Sequence, residues 1–498
     1  MSNRRRPGLQ RRSGVLLPIS ALPGPDGIGD LGPAAYHFVD WLHRAGQRAW
    51  QILPFGIPDS TGSPYASPSS EAGNWLFISP ELLRRQKLLP VQRPERHMAK
   101  RSVSYRRVFR TKWTLVRASY RFFLRRGSLA QQTAFARFRR AQGRWLENFT
   151  LFQALKDRHD QQSWWTWESK WRHPRTARLY LDRHLRRQID FHAYAQWLWA
   201  EQWQALRRYV HQRQIIIIGD LPFFVRADSV DVWAHPELFR LDRHGQPSVV
   251  AGVPPDSFAR HGQRWGNPLY NWPAHRRTGF RWWVERFRLL DDRCDVIRVD
   301  HFRGLVHTWQ IPARAATARR GRWVPSPGQA LLRAVKRRRP QLNLIAEDLG
   351  SEETGADALR RAFHLPTIRV MLFGWNGLPD NPHHPQAVTE DVVYYTANHD
   401  TNTTVGGWRE EAKKYERRNL RLYLGPIRDV AWQCLEAAAK TSARLVVMPI
   451  QDILRLGSSA RLNRPGRQRG NWSWRLSERQ LTARSADRLA RLAKRYGR

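Results

Sequence analysis

The chain has 498 residues, 41% of them hydrophobic, which is room for one large barrel with insertions or for two to four ordinary domains and is too apolar for a disordered chain. Its 85 Lys and Arg against 42 Asp and Glu give a formal charge of +43. That field attracts polyanions, but the basic residues are spread over 101–140, 314–339 and 461–498 instead of one run. Solvated arginine-rich faces are therefore expected, and no specific nucleic-acid partner. Cys294 and Cys434 are the only cysteines; they offer no disulfide framework and no metal-ligand spacing, and suit a reducing, cytoplasmic setting. No apolar run approaches the ~20 residues of a membrane span, and the basic N-terminus leads into no signal-peptide core.

Short apolar runs recur along the chain, usually followed by a loop and a helical pattern. They predict strands at 14–20, 49–54, 215–220, 295–300, 342–347, 367–373, 392–396 and 445–449. Ile215 to Ile218, four isoleucines in succession, read as a strand buried on both faces. Helical patterns fall at 34–45, 191–213, 280–290, 328–338, 356–363 and 429–440. Eight parallel strands alternating with helices predict an α/β fold, a (β/α)8 TIM barrel with inserted subdomains between barrel strands. A doubly wound sheet is the alternative, but no glycine-rich phosphate loop follows any strand. The expected division is barrel strands 1–2 with an active-site loop over 13–81, an inserted helical subdomain over 82–188, barrel strands 3–8 over 189–476 with a lid loop at about 226–272, and a basic C-terminal helix or tail over 477–498. In the insertion, Trp164, Trp165, Trp167 and Trp171 could present a sugar-stacking face, although local helix packing is the stronger expectation.

Three strands end on acids. Asp300 closes Val-Ile-Arg-Val-Asp, Glu347 follows Leu-Ile-Ala, and Asp400 follows Asn398 and His399 after Tyr-Tyr-Thr-Ala. In a parallel barrel these ends share one face, so the three acids can meet, with His301 and His399 beside them. Any one acid alone is more often a cap or a structural group; three at strand ends change that balance. Two carboxylates about 5 Å apart suit retaining glycoside chemistry, in which one attacks and the other protonates the leaving oxygen. The attacking group must stay ionised, which Arg298 favours, since residues two apart on a strand share a face. The proton donor must be protonated at rest, which burial and neighbouring carboxylates promote. Tyr65, Trp265 and Phe373 are candidate faces for stacking on a sugar ring. Metal-dependent hydrolysis is the rival chemistry, but no HExxH-type ligand spacing occurs, and no metal or other cofactor is expected.

From about Ser13 to Arg475 the sequence resembles the amylomaltase (4-α-glucanotransferase) family, glycoside hydrolase family 77, relatives of the α-amylases. The carrying stretches are SGVLLPISALPGPDGIGDLG from Ser13, SPYASPSSEAGN from Ser63, GDLPFFVRADSVDVWAHPELF from Gly219, VAGVPPDSFARHGQRWGNPLYNW from Val250, IRVDHFRG from Ile297, AEDLG from Ala346, NHDTNTT from Asn398 and LNRPGRQRGNWSWR from Leu462. The resemblance implies Asp300 as nucleophile, Glu347 as general acid/base and Asp400 as the third carboxylate, binding sugar hydroxyls. It implies Tyr65, Asp220, Arg298, His301, His399 and Asn463 as contacts to the sugar at the cleavage site, Asp256 and Trp265 as parts of an acceptor-side lid, and Phe373 as a further stacking position. The implied activity is transfer of α-1,4-glucan segments to the 4-hydroxyl of an acceptor glucan or glucose by a retaining double displacement. An α-amylase-type retaining hydrolase is the nearest alternative, and a non-enzymatic glucan- or nucleic-acid-binding protein the next. The family pattern has Gly where Ala397 stands, Asn where Thr401 stands, an aromatic at Ser257, and a Gly-Asp pair and often a Tyr in the stretch that here reads PDSTGSPY. These departures leave the three acids intact and imply a preference for short maltooligosaccharides.

Overall fold

The computed structural model describes residues 11–90, 102–255, 260–349, 355–467 and 469–498. Its strands in chain order are β1 (Arg12–Leu16), β2 (Ala49–Gln51), β3 (Ile216–Leu221), β4 (Val249–Val253), β5 (Gln263–Pro268), β6 (Val296–Val299), β7 (His307–Pro312), β8 (Arg322–Pro325), β9 (Leu344–Ala346), β10 (Thr367–Val370), β11 (Val392–Tyr395) and β12 (Leu445–Pro449). Eight of them, in the order β1-β2-β3-β6-β9-β10-β11-β12, close into a barrel, and every pair in it is parallel. These are the eight apolar runs of the sequence, so the α/β barrel expectation holds.

The two-residue period of a strand sorts the side chains. Leu16, Ala49, Ile218, Val296, Ile345, Ile368, Val393, Leu445 and Val447 pack together as one buried cluster inside the barrel. Their chain neighbours Ile217, Ile297, Leu344, Tyr394 and Val446 belong to a second cluster shared with the surrounding helices. Buried on both faces, such strands read as unbroken apolar runs. Two residues further along β3, β6 and β9 the inner positions become Asp220, Arg298 and Glu347. Asp220 and Arg298 stand opposite one another in the strand register. The apolar barrel interior thus gives way to charge at the C-terminal rim.

The predicted lid loop at 226–272 is not simply a loop. It holds β4 and β5, which join β7 and β8 in an antiparallel sheet of order β5-β4-β7-β8. Glycine and proline interrupt VVAGV and QRWGNP, so neither shows the alternation that marks a strand. Within 82–188 lie helices Tyr105–Arg126, Leu129–Gln142 and Arg144–Arg158, and helix Arg183–Gln212 leads on into β3. Trp164, Trp167 and Trp171 are buried, and Trp165 is partly buried against the same core. Trp167 packs on Phe152 and Trp233. These tryptophans form a local core, not a sugar-stacking face. Near the C-terminus, helix Ala483–Arg495 buries Leu489 and Leu492. Among the described residues no helix is long and apolar enough to cross a membrane.

Two buried lysines fasten this helical region to loops of the barrel. Lys112, fully buried, lies 2.9 Å from Asp26 and 3.5 Å from Asp30 and donates to the Ile78 carbonyl. Lys156 reaches Asp228 at 2.7 Å and the carbonyls of Gln161 and Gln162. Removing one partner of a buried ion pair strands the other. Lys112→Met is therefore expected to destabilise the protein by about 3 kcal/mol, read as a lowered midpoint in urea unfolding. A midpoint equal to that of the unchanged protein would contradict the pairing.

Candidate active site

The rim charges converge on one guanidinium. Arg298, 3% exposed, donates from Nη1 to Asp220 Oδ2 at 2.7 Å and to Asp300 Oδ1 at 2.9 Å, while its Nη2 lies 4.0 Å from Glu347 Oε2. The acids that follow β6 and β9 therefore share a single buried cation. His301, in the left-handed region with φ 50° and ψ 50°, turns the chain sharply after Asp300. That turn aims its backbone N–H at Glu347 Oε2, 2.7 Å away. Main-chain bonds from Asp300 to Leu221 and from Glu347 to Val299 continue the sheet pairing to this point, so both acids stand on rigid strand ends.

A second chain of polar groups runs along the other side. Tyr65 donates its hydroxyl to Asp220 Oδ2 at 2.8 Å. His399 Nε2 lies 2.9 Å from Tyr65 Oη and 3.2 Å from Asp400 Oδ2. With the tyrosine proton committed to Asp220, Nε2 is the donor to both oxygens. Asn463 donates to Asp400 Oδ1 at 2.6 Å, and Arg461 to the Asp400 carbonyl at 2.9 Å. Thus Tyr65, Asp220, Arg298, Asp300, Glu347, His399, Asp400 and Asn463, spread over almost four hundred positions, form one continuous network.

Burial dominates its protonation. It pushes Glu347 up to about 7, against the opposing pull of Arg298, and Asp220 up to about 6 against the same cation. Burial works against the charge of Asp400 too, but His399, Asn463 and Arg298 outweigh it and hold that carboxyl well below the usual range. Burial likewise opposes the charge on His399, and Asp400 outweighs it, raising the imidazole. His301 is driven down to about 4 by burial and is neutral near pH 7. Its Nε2 and the Nδ1 of His399 are buried without a hydrogen-bond partner among the described residues. The rim therefore carries Glu347, which titrates near neutrality, and Asp400, which is kept ionised.

Aromatic rings flank the acids. Trp265, on β5 and 38% exposed, meets His301 edge-on with centroids 5.0 Å apart; Phe224 contacts both. Of the expected residues, Phe373 is not tied into this network: its ring contacts His383. Asp256 lies outside the described residues, as does Ser257. Ala397 is buried, and Thr401 closes the turn at Asn398 by accepting from the Asn398 N–H. Sequence reasoning passed over Gln51, Tyr395 and Trp472. The Tyr395 hydroxyl donates to Gln51 Oε1 at 2.7 Å beneath the acids. Gln51 could have been found by stepping two residues inward from Ala49. Trp472 lies beside Tyr65 and His399, with centroids 5.9 and 6.2 Å away, and no periodicity marks it.

The model of a protein family described as 4-alpha-glucanotransferase, glycoside hydrolase family 77, matches residues 17–482. The chain is 39% identical over 495 residues to a 4-alpha-glucanotransferase of Thermus thermophilus, covering 97% of this chain and 98% of that one. It is 37% identical over 483 residues to a chloroplastic/amyloplastic 4-alpha-glucanotransferase of Solanum tuberosum, covering 95% and 83%. Among solved structures it superposes on an amylomaltase from Streptococcus agalactiae in complex with acarbose with a TM-score of 0.92, at 32% identity, covering 98% of this chain and all of that one.

Proposed function

The chain belongs to the 4-alpha-glucanotransferase family, glycoside hydrolase family 77, and on that footing we propose which of its side chains perform the transfer. The enzyme moves α-1,4-glucan segments between chains; glucans are its substrates. Glu347 protonates the glycosidic oxygen while an Asp300 oxygen attacks the anomeric carbon, and the reducing-end fragment leaves. Glu347, now a base, takes the proton of an acceptor 4-hydroxyl, which displaces Asp300. Two inversions restore the original configuration. The supporting observation is the shared Arg298: it orients both carboxylates, while burial keeps Glu347 protonated near neutral pH.

The remaining network has a division of labour. Asp400, kept ionised, accepts sugar hydroxyls together with Asn463. The unpartnered nitrogens of His301 and His399 offer further hydrogen bonds. Tyr65 and Trp265 stack on apolar sugar faces, with Trp265 edging the acceptor side. Transfer prevails over hydrolysis when the acceptor fills that side and excludes water. A reducing cytoplasm suits its two buried free thiols, Cys294 and Cys434.

Chromatography of products from maltotriose tests the reading: chains longer than three glucose units are expected, with glucose as co-product. Maltose and glucose alone would mark a hydrolase. The protonation of Glu347 adds a pH test. Because the free enzyme must carry that proton and the group titrates at about 7, kcat/KM is expected to hold below that pH and fall about tenfold per unit above it. A profile flat to pH 9 would remove Glu347 from the role of acid.

A further inference from the structure

The motif that begins at Leu462 and supplies Asn463 ends in NWSWR, a segment the proposed chemistry leaves unused. Trp472 within it is 7% exposed and adopts φ 60°. A bulky residue in the left-handed region costs about 1–2 kcal/mol and persists only where its surroundings enforce it. Three contacts do so. Its N–H donates to the Leu462 carbonyl at 2.6 Å. Its own carbonyl accepts from the Tyr105 hydroxyl at 3.0 Å. Next to it, the Ser473 carbonyl accepts from the Val103 N–H at 2.7 Å. Tyr105 and Val103 stand at the start of the inserted helices. Tyr105 is itself pressed against Gly62, at φ 84°, where a Cβ would overlap the tyrosine ring.

The held tryptophan touches the sugar-facing network twice. Its ring lies against Tyr65 and His399, the two side chains joined by the 2.9 Å hydrogen bond. Its N–H fixes Leu462, the residue before Asn463, whose amide holds Asp400. We propose that Trp472, locked by Tyr105 of the inserted helices, is a positioning residue that sets the alignment of Tyr65, His399 and Asp400 for the sugar. This rests on the assignment of those three groups to the sugar-binding edge.

The test uses maltotriose disproportionation by the full-length protein, with kcat and KM resolved and thermal midpoints recorded. Trp472→Leu removes the ring and is expected to lower kcat/KM at least about tenfold, while Trp472→Phe, which keeps a ring, restores most of the loss. Tyr105→Phe deletes one hydroxyl and is the gentler probe. It is expected to lower kcat/KM about fivefold in the unchanged protein but less than about twofold in a His399→Asn background, since groups acting through one another are not additive. Equal fold-losses in both backgrounds would make Tyr105 a fold brace without influence on the site, and overturn the proposal. So would full activity of Tyr105→Phe or Trp472→Leu. If His399→Asn is itself fully active, the sugar-edge assignment fails first and the proposal falls with it; an impaired His399→Asn with additive Tyr105→Phe sinks the positioning role alone.

Discussion

Asp300→Asn is expected to cut maltotriose disproportionation by at least about 10,000-fold while leaving the fold intact. Asparagine keeps the shape of the side chain, and its Oδ1 can still accept from Arg298 as the aspartate does at 2.9 Å. Arg298 also retains Asp220 at 2.7 Å, so the buried cation is not stranded. What disappears is the nucleophilic oxygen, and without it the double displacement has no first step. A steady-state assay beside a thermal melt separates the two effects. Activity within about a hundredfold of the unchanged enzyme, at an unchanged melting temperature, would show that Asp300 is not the attacking group.

Glu347→Gln removes the proton donor and leaves the nucleophile. The loss with maltotriose is expected to be about 100- to 10,000-fold, the usual worth of general acid–base catalysis. A glycosyl fluoride distinguishes this variant from the first, because fluoride departs without a proton. Glu347→Gln is expected to attack such a donor, then stall, since nothing deprotonates the acceptor hydroxyl. Intact-protein mass should rise by the transferred glycosyl mass, with the adduct on Asp300. The residual rate should also lose its fall above pH about 7, because the group responsible is gone. Failure to accumulate any adduct, with the pH profile unaltered, would transfer the acid role to another residue.

The barrel was legible because its strands are buried on both faces. Ile215 to Ile218 and Leu445 to Met448 have no solvent side and show no alternation to confuse the reading. The catalytic candidates were legible for the complementary reason: Asp300 and Glu347 interrupt runs whose burial ought to exclude charge. The antiparallel sheet escaped because β4 and β5 carry glycine and proline where a strand pattern would place branched residues, and its pairing with β7 joins segments about sixty residues apart. Phe373, a candidate stacking face, contacts His383 and stays 38% exposed. Trp472 could not be seen because its position depends on a left-handed backbone angle and on a hydroxyl from residue 105, neither of which leaves a mark on local sequence.

The buried anchors Lys112 and Lys156 bear on how this molecule comes apart. Helices joined to the barrel through solvated contacts could fray while the mouth of the barrel stayed whole. Here the lysine side chains of helices Tyr105–Arg126 and Arg144–Arg158 tie them to segments 26–30 and 228 by charges that cannot be exposed singly at low cost. Native-state hydrogen exchange should therefore find these helices and the flanking rim loops opening as one foldon. A barrel pared down by excising the helices would lose its rim architecture along with them.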